Sequence, residues 1–216
     1  MTRVLIADDH AIVRDGLKRL IESSPGLHVA GEAVDGDDTV HKVRSVVCDV
    51  LLLDMSMPGR SGLDLIKYVK TLQPRLAVLV LSMHAEDQYA VRAIRAGASG
   101  YLTKDTGIGM LVEAIRKVAA GGMYITAAVA EQLAMSLTHT PRAELPHQAL
   151  SDRELEVFHA LVRGDTIGAI AQRMHLSAKT VSTHKARILE KMQMDSVADL
   201  VRYALAHQLS ADASAA

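Results

Sequence analysis

Short apolar runs alternate with longer amphipathic stretches in the N-terminal half of the chain. Runs rich in Val, Ile and Leu cover 4–7, 28–34, 50–53, 76–81 and 100–102. Between and after them, apolar residues recur three or four positions apart over 12–21, 38–46, 63–72, 88–95 and 108–119, which predicts amphipathic helices. Strands that alternate with helices form parallel sheets with helices on both faces. The pattern therefore predicts an α/β fold with five strand and helix pairs.

The pattern changes after Gly121 and Gly122, where the strand-like runs end. Pro141 and Pro146 lie in a polar stretch of the kind that joins domains. The small residues that end the chain predict a disordered tail. The predicted segments are an α/β domain at 1–121, a partly helical linker at 122–149 with a helix over 127–135, an all-α domain at 150–209 and a disordered tail at 210–216.

The C-terminal half carries the start signals of three consecutive helices. Ser151 and Glu154 have the spacing of a capping box at the start of the first. A short helix is predicted over 166–174, and Ser177 is placed to cap a third that runs to about Met192. Helix, turn and capped helix is helix-turn-helix geometry, in which the second helix of the motif enters the major groove of DNA.

Composition narrows the class of protein. The chain has 216 residues, 49% of them apolar and 23% charged, and a net charge of −1, which fits two soluble globular domains. Affinity for nucleic acid must therefore come from a local patch. Cys48, the one cysteine, cannot form an intramolecular disulfide, which favours a reducing compartment. No apolar run approaches the roughly 20 residues of a membrane span, so we expect a soluble cytoplasmic protein that does not engage a membrane.

Polar residues suited to phosphoryl chemistry follow four of the five apolar runs. They are Asp8, Asp9, Asp54, Ser82 and Lys104. Ligands of open parallel sheets bind at the carboxyl ends of the strands, so these side chains should converge on one edge. Three carboxylates there repel one another unless a cation is present, and an all-oxygen acidic cluster suits Mg²⁺.

Each member of this set has a distinct chemical use. The Asp54 carboxylate can act as a nucleophile and form an acyl phosphate. The Ser82 hydroxyl and the Lys104 ammonium can bind phosphoryl oxygens. Any one of these residues alone is more typical of a helix cap, a solvated turn or a surface position, so the prediction depends on their conjunction. His10 is interpreted as a turn or cap residue.

The segments VLIADDH at 4–10, LDMSMPG at 53–59, LVLS at 79–82 and GASGYLTK at 97–104 resemble the receiver domain of two-component response regulators. The resemblance implies a flavodoxin-like, doubly wound sheet with strand order 2-1-3-4-5. It also implies phosphoryl transfer from a histidine kinase to Asp54, and Mg²⁺ held by Asp8, Asp9, Asp54 and the backbone carbonyl of Met55. In such a receiver, Ser82 moves toward the phosphoryl group and Tyr101 turns inward. Simple packing of Tyr101 at an edge strand is the alternative.

The predicted third helix of the C-terminal half separates into two faces on a helical wheel. Val181, Ile188, Leu189 and Met192 should pack inward, whereas Lys179, Thr183, Ala186, Arg187 and Glu190 should face outward. With Lys185 and Lys191 the helix is locally basic, so it can neutralise phosphates. A solvated charged face would give the same composition.

The segments LSDRELEV at 150–157, IAQRM at 170–174, LSAKTVSTH at 176–184 and LEKM at 189–192 resemble the LuxR-type helix-turn-helix of NarL/FixJ regulators. The resemblance implies binding to double-stranded DNA, with candidate contacts at Lys179, Thr180, Ser182, Thr183, Lys185, Ala186, Arg187 and Lys191. It also implies a homodimer, for which Val201, Ala204 and Leu205 are candidates; packing within the domain is the alternative for these three residues.

This chain departs from the family pattern at two places. Ile167-Gly168-Ala169 replaces the usual Asn-Lys-Glu, and Ser182 replaces a Lys. The first change introduces a Gly that weakens helices, and the second removes a cation. We expect altered sequence preference or lower affinity for DNA.

Together these features predict a DNA-binding response regulator that is not an enzyme. Two alternatives stay open: a regulator with a vestigial receiver that works without phosphorylation, and a haloacid-dehalogenase-type phosphatase. Such phosphatases carry a second Asp two residues after the nucleophile, where this chain has Ser56, so an acyl phosphate on Asp54 should persist.

Overall fold

The computed structural model describes residues 1–57, 62–82, 87–104, 106–137, 145–174, 176–207 and 209. They form two compact units, which divide between Ala134 and Met135. The division falls inside the segment predicted as a linker, and the domain boundaries drawn from the sequence stay predictions. Pro141 and the predicted tail lie outside the described residues.

The N-terminal unit contains a five-stranded parallel sheet in the order β2-β1-β3-β4-β5. This order and the α/β class were predicted and are confirmed. The strands are β1 (Thr2–Ala7), β2 (Leu27–Ala33), β3 (Val50–Asp54), β4 (Ala77–Ser82) and β5 (Gly100–Thr103), and the helices are α1 (Ala11–Ser23), α2 (Gly36–Ser45), α3 (Gly62–Leu72), α4 (Asp87–Arg95), α5 (Ile108–Ala119) and α6 (Ala127–Leu137).

Burial explains why the strands read as continuous apolar runs. Every residue of β3 and β4 is buried, because helices cover both faces of a parallel sheet. Apolar side chains of the central strands pack against Leu111 and Ile115 of α5 on one side of the sheet. The order places β1, β3, β4 and β5 side by side, so their carboxyl ends meet at one edge.

A short segment after α5 extends the sheet beyond β5, which the sequence pattern did not indicate. Tyr124 donates its amide hydrogen to the Ser99 carbonyl at 3.0 Å, and its carbonyl accepts from the Tyr101 amide at 3.0 Å. The contact is a parallel bridge between Gly100 and Tyr124. It brings the residues before α6 against the strand that carries Tyr101.

The C-terminal unit is helical, as predicted. A 3₁₀ turn (Pro146–Ala149) precedes α7 (Asp152–Val162), α8 (Ile167–Arg173), α9 (Ala178–Met192) and α10 (Val197–Ala206). The predicted capping box is confirmed, since Glu154 accepts the Ser151 amide hydrogen at 2.8 Å and Ser151 caps the amide of Glu154. Ser177 caps α9 by accepting from the Thr180 amide at 3.0 Å. Among the described residues, no helix is long and apolar enough to cross a membrane.

Candidate functional site

Asp54 is the last residue of β3 and lies at the carboxyl edge of the sheet. It is 2% exposed, and it pairs in register with Leu81, the residue before Ser82. Its Oδ1 atom accepts the Ser56 amide hydrogen at 3.1 Å. That bond orients the carboxyl group, leaving Oδ2 to face the charges of the neighbouring strands.

The loop after β1 contributes the other acidic groups. Asp8 is 1% exposed, whereas Asp9 and His10 are exposed. The His10 Nδ1 atom lies 2.9 Å from Asp9 Oδ1 and 3.3 Å from Asp8 Oδ1. Ligand atoms of Asp8, Asp9, His10 and Asp54 all lie within 4.8 Å of one another. His10 precedes α1 without a side-chain cap, so its ring belongs to this cluster more than to the helix end.

Lys104, which directly follows β5, bridges two of these carboxylates. Its Nζ atom donates to Asp8 Oδ2 at 2.8 Å and lies 2.9 Å from Asp54 Oδ2. The amide of Lys104 also bonds to the Ser82 carbonyl at 2.8 Å, which ties the strand ends of β4 and β5 together. The ammonium group therefore offsets part of the repulsion between the two buried acids.

Burial and charge act in opposite directions on the central acid. Burial raises the pKa of Asp54, and this effect exceeds the lowering by the neighbouring Lys104 ammonium. Burial alone would lower the pKa of Lys104, but the carboxylates of Asp54 and Asp8 outweigh it, so the pKa is raised. Ionised Asp54 is therefore held in a site that does not fully compensate its charge, a setting that favours an additional cation.

The donor set of this cluster fits a hard divalent cation. Three carboxylates offer oxygen atoms on one face, and the exposed Asp9 leaves room for water, which Mg²⁺ retains when it binds proteins. Met55 follows Asp54 and is buried, and its backbone carbonyl stays a predicted ligand. The cluster could thus hold a metal ion.

The remaining predicted residues of this half lie at the same edge or beside it. Ser82 is fully buried at the end of β4 and pairs in register with Thr103. Tyr101 is 7% exposed and lines a cavity of about 240 Å³, together with Ala90, Leu102, Thr103, Thr106, Met110, Val129 and the segment 124–126. The structure thus assembles the predicted set at one edge and places Tyr101 under the segment that follows α5.

Helix α9 presents the predicted basic face. Val181, Ile188 and Met192 are buried, whereas the residues predicted to point outward are exposed: Lys179, Thr183, Ala186, Arg187 and Glu190. Thr180 and Lys185 are partly exposed. Within the described part of the chain, no ion pair engages Lys179, Lys185 or Arg187, so these cations are free to meet phosphates.

Lys191 differs from the other cations of α9. Its Nζ atom lies 2.6 Å from Oε2 of Glu154, which is 3% exposed, and 3.4 Å from the Ala149 carbonyl. Contact with DNA would therefore compete with a salt bridge inside the domain.

The two departures from the family pattern leave the motif folded. Thr166 caps α8 by accepting from the Ala169 amide at 3.2 Å, which offsets part of the weakness of Gly168. Ile167 is half-buried. Ser182 is exposed and donates its hydroxyl hydrogen to the Ala178 carbonyl at 2.9 Å, so it lies on the surface where a Lys would add positive charge.

One candidate for dimer contact is corrected by burial. Ala204 is fully buried within its own unit, so it packs inside the domain and cannot meet a partner. Leu205 is 58% exposed, and Val201 is partly exposed. Only these two of the three candidates on α10 are available to another molecule.

Comparisons with known proteins agree with this arrangement. The chain matches the family model of the response regulator receiver domain over residues 4–116 and that of bacterial regulatory proteins of the luxR family over residues 148–204. The chain belongs to the NarL/FixJ-type response regulators. The fold and the two domain types are those predicted from the sequence. The prediction of a DNA-binding regulator of transcription in a two-component system is likewise confirmed.

Relatives match the chain over nearly its whole length. The response regulator UvrY of Escherichia coli (strain K12) is 35% identical, over 97% of this chain and 96% of that protein. The response regulator GacA of Pseudomonas viridiflava is 37% identical, over 100% of both chains. The structure of RcsB from Salmonella enterica serovar Typhimurium, bound to a promoter in the presence of the phosphomimetic BeF₃⁻, has a TM-score of 0.68 and 27% identity, over 94% of this chain and 97% of that chain.

The site contains residues that the sequence patterns did not single out. Arg14 of α1 donates to the Asp8 carbonyl at 2.8 Å and lies 3.8 Å from Glu32, so it supports the turn that carries the acidic pair. Tyr124 bonds to the strand of Tyr101. Both interactions join residues that are distant in sequence or lie in a loop, where hydrophobic periodicity carries no signal.

Proposed function

We propose that Asp54 accepts a phosphoryl group from a sensor histidine kinase and that this modification controls DNA binding by the C-terminal domain. The carrying observation is the buried Asp54 carboxylate, with Lys104 at 2.9 Å and two further aspartates beside it. A nucleophile, a counter-charge and a cation site within a few ångströms are the parts that phosphoryl transfer needs.

The residues of this chain have separate tasks in the transfer. One Asp54 carboxylate oxygen attacks the phosphorus of a phosphohistidine, and the new P–O bond forms as the P–N bond breaks. The imidazole nitrogen keeps the bonding electron pair and takes a proton from water. Lys104 holds one phosphoryl oxygen by charge, the Ser82 hydroxyl donates to another, and Tyr101 turns as Ser82 moves.

Mg²⁺ fits the acidic cluster as the cofactor of this step. Asp8, Asp9, Asp54 and the backbone carbonyl of Met55 would hold it. When bound, the ion supplies positive charge that lowers the repulsion between the carboxylates and the incoming phosphoryl group.

The acyl phosphate is a signal and not an intermediate of turnover. No second carboxylate follows two residues after Asp54, because Ser56 occupies that position and its amide is bonded to Asp54 Oδ1. We therefore assign the protein no catalytic role beyond slow loss of its own phosphoryl group. This distinguishes it from an aspartate-nucleophile phosphatase.

Incubation with acetyl phosphate and Mg²⁺ tests the acceptor. The intact mass of wild type should rise by one phosphoryl group, and that of Asp54→Asn should not. Asp9→Asn keeps the acceptor but weakens the cation site, so its adduct should form only at higher Mg²⁺ concentration. An unmodified wild type would favour a vestigial receiver, and many turnovers of a phosphomonoester would favour a phosphatase.

The C-terminal domain binds double-stranded DNA through the outer face of α9. The contacts we assign to it are Lys179, Thr180, Ser182, Thr183, Lys185, Ala186 and Arg187. A helix-turn-helix domain of this size gains affinity when two copies bind two half-sites, so the active form is a homodimer, with Val201 and Leu205 of α10 at the contact. The solved RcsB complex with a promoter supports the DNA-binding part of this proposal.

The domain boundaries predicted from the sequence stay part of this proposal: a receiver at 1–121, a linker at 122–149 and a DNA-binding domain at 150–209. A regulator that reads DNA and carries one buried, unpaired cysteine, Cys48, fits the cytoplasm.

A further inference from the structure

Glu154 lies between the start of the DNA-binding domain and α9, which is the recognition helix of the helix-turn-helix. It lies in the first turn of α7 and is 3% exposed. Its Oε2 atom accepts from the Ser151 amide at 2.8 Å and from Lys191 Nζ at 2.6 Å. One buried carboxylate oxygen thus joins the N-terminus of α7 to the last turn of α9.

The same lysine reaches the segment that enters the domain. Lys191 Nζ lies 3.4 Å from the Ala149 carbonyl at the end of the 3₁₀ turn. Three elements therefore meet at one ion pair: the incoming chain, the first helix and the recognition helix. Truncation of either partner removes this polar link between elements that also pack against one another.

The electrostatics keep this pair charged. Burial alone would raise the pKa of Glu154, but the Lys191 ammonium and the Ser151 hydrogen bonds outweigh it and the pKa is lowered. The carboxylate therefore stays ionised at neutral pH, and the Lys191 charge is largely cancelled within the domain. Such a pair contributes little to the field that attracts phosphates.

Position along the helix separates Lys191 from Lys179, although the Lys191 side chain is also 39% exposed. The N-terminal residues of a recognition helix contact base edges, and Lys191 follows Lys179 by 12 residues, about 18 Å along the axis. Lys179 and Arg187 are exposed, and no ion pair with a described residue engages them. All three residues carry a positive charge, but Lys191 differs from the other two because it pairs with the Glu154 carboxylate.

We propose that Glu154 is the positioning residue of the recognition helix and that Lys191 serves as its counter-ion and not as a DNA contact. This inference rests on DNA binding through α9. It reduces the phosphate-binding set of the helix to Lys179, Lys185 and Arg187. Loss of the pair should then displace α9 relative to DNA without changing the number of phosphates that are neutralised.

The salt dependence of binding tests this assignment, because each phosphate contact contributes about −0.9 to the slope of log K against log salt. The probe is a labelled duplex that wild-type protein enriches from a random-sequence pool, titrated with full-length variants at several NaCl concentrations. Lys179→Met should make the slope shallower by about 0.9 for each protomer bound. Lys191→Met should keep the wild-type slope. It should weaken binding roughly tenfold at every salt concentration, a loss comparable with that of one well-placed base contact. Lys191→Arg should restore wild-type affinity.

A double variant covers the case in which Lys191→Met does not fold. Glu154→Gln with Lys191→Met leaves no buried charge and keeps an acceptor for the Ser151 amide, so circular dichroism should show a folded protein. Its slope should equal that of wild type and its affinity should be lower. Glu190→Gln, at the exposed neighbouring position, is the matched control and should keep wild-type affinity or exceed it.

Two results would overturn the proposal. A slope shallower by about 0.9 for each protomer bound in the Lys191→Met variants would make Lys191 a phosphate contact, and wild-type affinity in the double variant would remove the positioning role. Unchanged slopes for Lys179→Met and Arg187→Met together would instead contradict DNA binding through α9 itself. The measurements therefore distinguish failure of the Glu154 and Lys191 assignment from failure of DNA binding through α9.

Discussion

Gly100 lies where the segment after α5 meets the sheet, and a single methyl group there should force the two apart. A Cβ atom at this position would lie 2.8 Å from Leu79 Cδ1 and 2.9 Å from the Tyr124 carbonyl oxygen. Leu79 is fully buried in the central strand β4, so it cannot move freely. Tyr124 offers a backbone atom, which moves only if its pairing with β5 is broken.

These contacts set the expected loss of stability for Gly100→Ala. Overpacking of a buried site costs roughly 1–3 kcal/mol, and the reduced freedom of the unfolded chain returns about 0.4–1 kcal/mol. We therefore expect the free energy of unfolding of the N-terminal unit to fall by about 1–2 kcal/mol. At a typical urea dependence this lowers the transition midpoint by about 0.5–1 M.

Urea denaturation followed by far-ultraviolet circular dichroism measures the stability, and hydrogen exchange at the Tyr101 and Tyr124 amides locates the damage. Both amides donate across the contact and should lose protection together. Gly109→Ala in α5 is the matched control, because nothing lies within 4 Å of its added Cβ, and it should stabilise by about 0.5 kcal/mol. A Gly100→Ala protein as stable as wild type, with both amides still protected, would show that the contact between Gly100 and Tyr124 tolerates a methyl group.

Two further substitutions follow from charge. Burial raises the pKa of Asp54 in the folded protein, although the Lys104 ammonium lowers it in part. The contribution of Asp54 to the free energy of unfolding is therefore favourable below the unfolded pKa of 3.8 and is lost as pH rises through the folded pKa. In Mg²⁺-free buffer, the urea midpoint of Asp54→Asn should therefore rise relative to that of wild type as pH approaches neutrality. A difference between the two midpoints that stays constant with pH would contradict this. Ser182→Lys places a cation on the exposed face of α9 and should steepen the slope of log K against log salt by about 0.9 for each protomer bound, measured by titration of duplex. An unchanged slope would place position 182 away from phosphate.

Local signals in the sequence were sufficient for the type and order of the main helices and strands but not for all of their ends, since β1 begins at Thr2 and α1 ends at Ser23, outside the predicted 4–7 and 12–21. The caps at Ser151 and Ser177 act within three residues of chain, and buried strands of a parallel sheet show their apolar character directly. The acidic cluster was also predictable, because the order of parallel strands determines which loops meet.

Interactions between distant residues were beyond these signals. Lys191 meets a Glu154 that is 37 residues away, and no local pattern indicates that pair. Side-chain charge predicted a DNA contact at Lys191, whose ammonium group pairs with Glu154 in the structure. The family resemblance made Ala204 a candidate for the dimer face, although the fold buries it. Burial and pairing of this kind depend on tertiary packing and not on local pattern.

A DNA titration shows whether the state of Asp54 controls DNA binding. Full-length wild type and Asp54→Asn are titrated with the enriched duplex, each with and without acetyl phosphate and Mg²⁺. We predict that the phosphoryl donor changes the Kd of wild type and leaves that of Asp54→Asn unchanged. Equal Kd values for phosphorylated and unphosphorylated wild type, with the adduct verified by mass, would contradict it.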